Sequence, residues 1–499
     1  MKRAYLRQYT KMSELHYKSF SHTLKTRYIH MEAGIKKIVA ILIILCTMSG
    51  QIISAQDSKV VSSTKAEIST TVAPKADSGD TAWMIVAAAF VLMMTIPGLA
   101  LFYGGLVRRK NVINVLMQCL IITGVITIEW VAIGYSMAFG SSGGVLKPFI
   151  GGFDWAFLKG IKITDLSPYY ISHSQAALNG ATVGTIPHIA FILFQCMFAI
   201  ITPALIIGAF AERINFKGFV LFTILWSIIV YNPVAHWVWS SDGWLFKMGA
   251  LDFAGGTVVH INAGIAALVT AIMIGKRKYY DGTPLPPHNV PYVLMGAALL
   301  WIGWIGFNAG SGLAADSLAA NAFLVTHIAA ATAAVSWAIL DWIFNKKPTL
   351  VGAATGAVSG LVAITPASGF VDVTGAFIIG LLVPIFCYIA IGILKPKFGY
   401  DDSLDAFGVH GIGGIWGAIA TGLFASPLVQ NYRGLFYGNS AQLWIQVKAV
   451  LITLIYSAVV TALLFWITDK LVGVRASESD EAEGLDLSQH DEMAYNKAE

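Results

Sequence analysis

Eleven apolar runs, each close to the length that crosses a hydrocarbon layer, follow one another along the chain. They are Ala82 to Leu106, Val112 to Phe139, Ile186 to Ala209, Phe219 to Trp239, Leu251 to Ile274, Pro291 to Phe307, Leu318 to Leu340, Thr349 to Ile364, Val373 to Leu394, Leu404 to Phe424 and Leu443 to Thr468. A bilayer core about 30 Å thick calls for roughly 20 apolar residues of helix. The pattern therefore predicts an all-α polytopic membrane protein with eleven transmembrane helices. Only 12% of the 499 residues are charged, about half the usual share in soluble domains. The net charge of +5 is no nucleic-acid signature, because Lys and Arg fall in short groups between apolar runs rather than in one stripe.

Those groups report orientation. Arg108-Arg-Lys, Lys276-Arg-Lys, Lys346-Lys and Lys395-Pro-Lys lie on one side together with Arg213 and Lys217, and the positive-inside rule makes that side cytoplasmic. The other side is poor in cations apart from Lys147, Lys159 and Lys162 in the long loop Gly140 to Thr185. A mature N-terminus outside and a C-terminus inside follow, in a cell inner (plasma) membrane. Residues 1–30 read as an upstream segment before a true start at Met31. Residues 31–55 (MEAGIKKIVAILIILCTMSGQIISA) carry two lysines, a short apolar run and a small-residue cleavage site, the signature of a signal peptide. The rival reading is an extra membrane anchor, for which the run is short. Residues 56–80 then form a flexible exported leader, 81–470 the membrane domain and 471–499 a cytoplasmic tail. Cys46, Cys119, Cys196 and Cys387 show no metal or disulfide spacing and read as packing residues.

An odd number of spans in each half inverts a repeat. If spans 1 to 5 and 6 to 10 are such halves, span 5 enters from outside and span 10 from the cytoplasm, with span 11 an extra helix across the bundle. The two segments echo one another: Asp252-Phe-Ala-Gly-Gly-Thr-Val-Val-His260 against Asp405-Ala-Phe-Gly-Val-His410. Inverted repeats place the transported species near the midplane. Counted from Leu251, His260 lies about 14 Å along its segment, well inside the layer, where ionisable groups mark substrate or proton routes. A histidine pair can ligate haem, hold a metal or relay protons. Small-xxx-small runs such as Gly352 to Gly360 and Gly411 to Gly417 imply close-packed helices with little room for a porphyrin, and no further ligands accompany the rings. A relay needs only two rings in contact; no metal and no cofactor are expected. Asp252 and Asp405 read as helix caps, with Asp252 in electrostatic support of the site. Phe194 and Phe198, four residues apart, share a helix face.

In order and spacing, ITPALIIGAFAERI, AHWVW, LDFAGGTVVHIN, GWIGFNAGSG and DAFGVHGIGG resemble the ammonium transporter (Amt/Mep/Rh) family, bacterial Amt type, from Asp80 to the final Ala-Tyr-Asn. The resemblance implies a homotrimer in which each subunit conducts. It implies an outer substrate-binding site at Phe194, Trp239 and Ser311, combining cation–π faces and a hydroxyl acceptor. It also implies a gate at Phe198 and Phe307, and a pore proton relay at His260 and His410 supported by Asp252. Rh proteins typically lack the Trp and Ser of the outer site, which favours the Amt branch; Leu404 departs from relatives with a small or sulfur-bearing residue there. By charge alone Glu478 to Glu483 is a solvated tail, whereas Ala482 to Asn496 is similar to tails that meet a PII-type signal protein. Ammonium transport is the expected function: the ion is bound outside and deprotonated, and ammonia crosses a narrow apolar pore. A passive ammonia gas channel and an ammonium sensor with little flux remain as alternatives.

Overall fold

The computed structural model describes residues 75–495 except 142, 170–183, 279 and 281–284. The expected signal peptide and nearly all of the leader lie outside the described residues. Among the described residues ten helices are long and apolar enough to cross a membrane: Ser78–Leu106, Arg109–Phe139, His188–Phe210, Phe216–Met248, Gly256–Ile274, Val290–Gly310, Ser317–Asn345, Val373–Phe398, Phe407–Phe424 and Ser440–Val472. The shorter apolar helix Leu350–Ile364 falls between the seventh and the eighth of these. In chain order the eleven are called spans 1 to 11. The compact unit that carries the site comprises Ala73–Leu340 and Pro348–Glu499. Apolar side chains such as Ile128, Leu463 and Ile455 point outward from the spans, as a lipid-facing surface requires.

Local chemistry sets where the spans begin. Asp77 accepts from the Asp80 N–H at 2.9 Å, Thr349 from Gly352 at 2.9 Å and Asp372 from Gly375 at 3.0 Å, each relieving an amide that the first helical turn leaves unpaired. Span 4 is interrupted after Trp239, and Trp244–Met248 forms a separate short turn. The regular helix thus ends where the sequence pattern places its end.

Packing follows the inverted repeat. Span 1 packs against span 3 and span 6 against span 8; span 3 packs against span 5 and span 8 against span 10; spans 1 and 6 meet each other. Span 11 runs along spans 4, 5 and 10. Spans 5 and 10 are antiparallel neighbours, because Arg277 beyond the C-terminal end of span 5 pairs at 2.8 Å with Asp401 just before the N-terminal end of span 10. Several glycines permit these contacts. A Cβ on Gly264 would lie 2.2 Å from the Gly411 nitrogen and one on Gly417 2.2 Å from the Ala363 oxygen, so backbone touches backbone there.

One sequence expectation changes. His260 does not sit mid-helix. The stretch from Leu251 is irregular as far as Gly255, whose φ of 112° is left-handed, and span 5 starts at Gly256. His260 is therefore in the first turn of its helix, delivered to depth by a buried irregular segment. Such backbone is tolerated inside a membrane only where protein encloses it.

Candidate functional site

Phe198 on span 3 is the hub of an aromatic cluster. Its ring lies 4.2 Å from Phe307 of span 6, tilted by 33°, 5.6 Å from Trp239 at the end of span 4 and 4.9 Å from Phe194 one turn away. Phe194 is fully buried, backed by the glycine at position 310, where a Cβ would come within 2.8 Å of its ring. Trp239 is half-buried and donates its indole N–H to the Asp252 carbonyl at 3.0 Å, which fixes its ring. Ser311 caps span 6 and donates its hydroxyl to the Phe307 carbonyl at 2.8 Å. Its oxygen lone pairs remain open to an N–H donor.

Below Phe307 the rings continue inward. Phe307 is 6.0 Å from His260, and His260 is 5.4 Å from His410 with the two imidazoles 14° from parallel. Their Nδ1 atoms are 3.3 Å apart, so one ring donates and the other accepts. Both rings are buried. Trp304 also stacks on His260, at 5.3 Å and 17°, while its indole N–H is held by Thr365 at 2.8 Å. Trp304 is a site residue that no sequence motif marks by role; its place three residues before Phe307 on one helix is the available signal.

A carboxylate begins each histidine helix. Asp252 accepts from the N–H groups of Gly255, Gly256, Thr257 and Val258 at 2.8, 2.6, 2.7 and 3.2 Å. On span 10 the cap is Asp402, bound by the N–H groups of Ala406 at 3.1 Å and Phe407 at 2.8 Å. Burial pushes that carboxyl up to about 6, with Lys395 drawing it down and Asp405 driving it up. This corrects the reading of Asp405 as the cap. Asp402 stands eight residues before His410, as Asp252 stands eight before His260. Asp405, left-handed at φ 59°, occupies the register of Gly255 and pairs instead with Lys395 at 2.7 Å. The echo was read on the nearer acid, three residues out of register.

A cavity opens between Phe307, Trp304, His260 and His410, closed by aliphatic residues including Leu205, Leu300 and Val358. The room it leaves for the centre of a water-sized molecule is about 10 Å³, close to the least that holds one water. Among the described residues the Nε2 atom of His260 has no hydrogen-bond partner. The conduit is apolar, narrow, and carries one unsatisfied ring nitrogen.

These features have known counterparts. The Ammonium Transporter Family model matches residues 82–495. The chain belongs to the ammonium transporter family. It is 48% identical over 419 residues to an ammonium transporter of Bacillus subtilis, covering 84% of this chain and 98% of that one. It is 44% identical over 417 residues to the ammonium transporter Amt1 of Archaeoglobus fulgidus, covering 84% and 99%. Among solved structures, Candida albicans Mep2 superimposes with a TM-score of 0.74 at 33% identity over 81% of this chain and 88% of that one. A protein named Sensor Amt Protein does so with 0.73 at 31% identity over 83% and 98%. The protein is a multi-pass membrane transporter of ammonium, not an enzyme.

At the transporter's other end lies a buried ion-pair network. Arg277 joins Glu212 at 3.0 Å and Asp401 at 2.8 Å, and Arg108 reaches Glu212 at 2.8 Å. Burial alone would raise the Asp401 carboxyl, but Arg277 and Arg213 hold it below its usual value. The tail is built onto this face. Glu478–Glu483 is a helix with a capping box at Ser477 and Asp480, and Glu481 is buried against Arg475 at 2.6 Å. Further on, Leu485 donates to Asn111 at 2.9 Å, Asn114 to Asp486 at 2.8 Å and Phe216 to Gln489 at 2.7 Å. The acidic run that charge alone reads as a solvated tail is folded against the N-terminal ends of spans 2 and 4.

Proposed function

We propose that ammonium is captured at the outer mouth by Trp239, Phe194 and Ser311, and gives up its proton near Phe198 and Phe307. Ammonia then passes the His260 and His410 pair, while the proton takes a separate route over the imidazoles. The observation that carries this reading is the Nδ1 to Nδ1 contact of 3.3 Å between rings from antiparallel helices, lining a cavity almost too small for water. An intact cation entering it would lose its hydration with nothing to replace it, whereas neutral ammonia pays little. Potassium resembles ammonium in size and also binds aromatic faces, so the discriminating property is the proton that only ammonium can release. Phe194, fully buried, backs Phe198 and sets the wall against which that ring turns. Asp252 supports the site by holding the start of span 5 and, through its carbonyl, the Trp239 ring.

The same reading places the mature N-terminus outside, after removal of residues 31–55, and the C-terminus in the cytoplasm of a cell whose inner membrane holds the transporter as a homotrimer. The docked tail supports a cytoplasmic face that a PII-type signal protein can read. The test is electrical. Purified transporter reconstituted on solid-supported membranes should give ammonium-induced currents that His260→Ala and His410→Ala each abolish. Unchanged current in both variants overturns the relay.

A further inference from the structure

Glu129 lies in span 2, ten residues before the outer end of that helix at Phe139. That is about 15 Å of helix rise below the end, deep inside the layer. It is 6% exposed, it plays no part in the ammonium path described above, and among the described residues it has no ion-pair partner. Ser227 donates to its Oε2 at 3.2 Å and Asn232 Nδ2 to its Oε1 at 2.8 Å, both from span 4. The titratable groups facing it are Cys196 of span 3 and Tyr231 of span 4, a thiol and a phenol that bring no positive charge. Two features mark the place as built. The wide π turns Trp130–Gly134 and Ser227–Tyr231 interrupt spans 2 and 4 at this level, and such turns gather at functional sites. Gly134 leaves the room: a Cβ there would lie 2.8 Å from each carboxylate oxygen.

The hydrogen bonds decide which form of the carboxyl fits. Ionised, it would be an uncompensated charge in hydrocarbon, which is the most expensive group to bury. As a neutral acid both oxygens are satisfied: Oε1 accepts from Asn232, while a proton on Oε2 is donated to Ser227, whose hydroxyl turns to donate elsewhere. A metal cation fits less well, because the Asn232 amide presents its N–H₂ to the carboxylate. We propose that Glu129 is a proton-binding site inside the membrane, distinct from the histidine pair and occupied in the resting transporter. Emptied, it places a negative charge behind the helix that carries Phe194 and Phe198, and so strengthens cation capture at the mouth.

Infrared difference spectra of the reconstituted full chain, wild type against Glu129→Gln, test this at neutral pH. The carboxylic-acid C=O band should be lost in the variant, and Ser227→Ala should move it to higher frequency, because the acid proton loses its acceptor. Raising the pH should remove the band and lower the half-saturating concentration of methylammonium several-fold in wild type but not in Glu129→Gln. Glu129→Asp, which keeps an acid, retains a displaced band and controls for folding. If the difference shows only carboxylate bands at neutral pH, or if Glu129→Gln abolishes a sodium dependence of uptake, the proton assignment is overturned.

Discussion

Gly264→Ala is the substitution that most directly asks whether helix approach creates the ring pair. Gly264 is one turn after His260, and an added methyl would lie 2.2 Å from the nitrogen and 2.3 Å from the Cα of Gly411, and 3.0 Å from the carbonyl carbon of His410. All three are backbone atoms, so no side chain can swing away. To reach an ordinary contact of about 3.5 Å, spans 5 and 10 must part by roughly 1.3 Å. That shift carries the Nδ1 atoms from 3.3 Å to about 4.6 Å, beyond hydrogen-bond reach. Overpacking of this kind costs about 1–3 kcal/mol, enough to lower the melting temperature but not to unfold a bundle of this size. The expected result is a folded transporter whose ammonium current per molecule falls at least about tenfold, a loss of 1.4 kcal/mol or more in the conducting step. Gly380→Ala is the control. Its methyl would sit 2.4 Å from the Ala329 oxygen, a comparable backbone clash between spans 7 and 9 that does not line the cavity. Wild-type current in Gly264→Ala, or equal loss in Gly380→Ala, would refute the reasoning.

Trp239→Leu removes one cation–π face, worth about 0.5–2 kcal/mol, and should raise the ammonium concentration for half-maximal current about 2- to 30-fold with the maximum preserved. Phe307→Ala deletes the ring between Phe198 and His260 and should admit water, read as a potassium current that wild type lacks. Asp252→Ala strands four buried amides and should cost at least the ~2 kcal/mol of a strong helix cap, whereas Asp252→Asn keeps one accepting oxygen and part of the stability; equal melting temperatures would remove the cap from the account. For Asp401 the sign follows from its depressed carboxyl. The stability it lends is complete above about pH 4, the ordinary aspartate value, and is lost as pH falls through the lower folded value. Asp401→Asn should flatten thermal stability against pH in that acid range and destabilise by about 3–5 kcal/mol at neutral pH, because Arg213 and Arg277 lose a buried partner.

The sequence made the spans legible because hydrophobic length is a one-dimensional property, and ten of the eleven runs reappear as helices of spanning length. Leu350–Ile364 is shorter, and its glycines at 356 and 360 press against neighbours. What the pattern could not show is where helix gives way to irregular chain within an apolar run. Leu251 to Ile274 reads as one segment, yet the left-handed Gly255 and four amides claimed by Asp252 delay the helix to Gly256. Asp402 was hidden for a related reason. Three acids, Asp401, Asp402 and Asp405, precede His410, and only the three-dimensional register shows that Asp402 caps while Asp405 pairs with Lys395 and Asp401 with Arg277. Glu129 was passed over because a lone acid inside a long apolar run leaves hydropathy almost unchanged. The folding of the tail was illegible for the opposite reason: its acidic composition resembles that of free chain, and its partners Asn111, Asn114 and Phe216 lie more than 260 residues earlier.

The paired caps bear on the chemistry between them. Each histidine sits in the first turn of a helix that starts within protein, and the two helices enter from opposite faces with a carboxylate eight residues ahead of each ring. The rings meet through Nδ1 on both sides, and an imidazolium has no nitrogen able to accept. The contact therefore survives with neither ring charged or with one, and never with both. A relay over this pair must move one excess proton at a time, with the tautomer of each ring reset before the next passes, while the Nε2 of His260, unpartnered among the described residues, can accept from passing ammonia whenever Nδ1 carries the ring proton. Asp252 and Asp402 hold the two helix starts that fix this geometry. Removing either cap should then disturb the ring pair from its own side of the membrane, and equal loss of current from the two sides is what a symmetric construction of the pore requires.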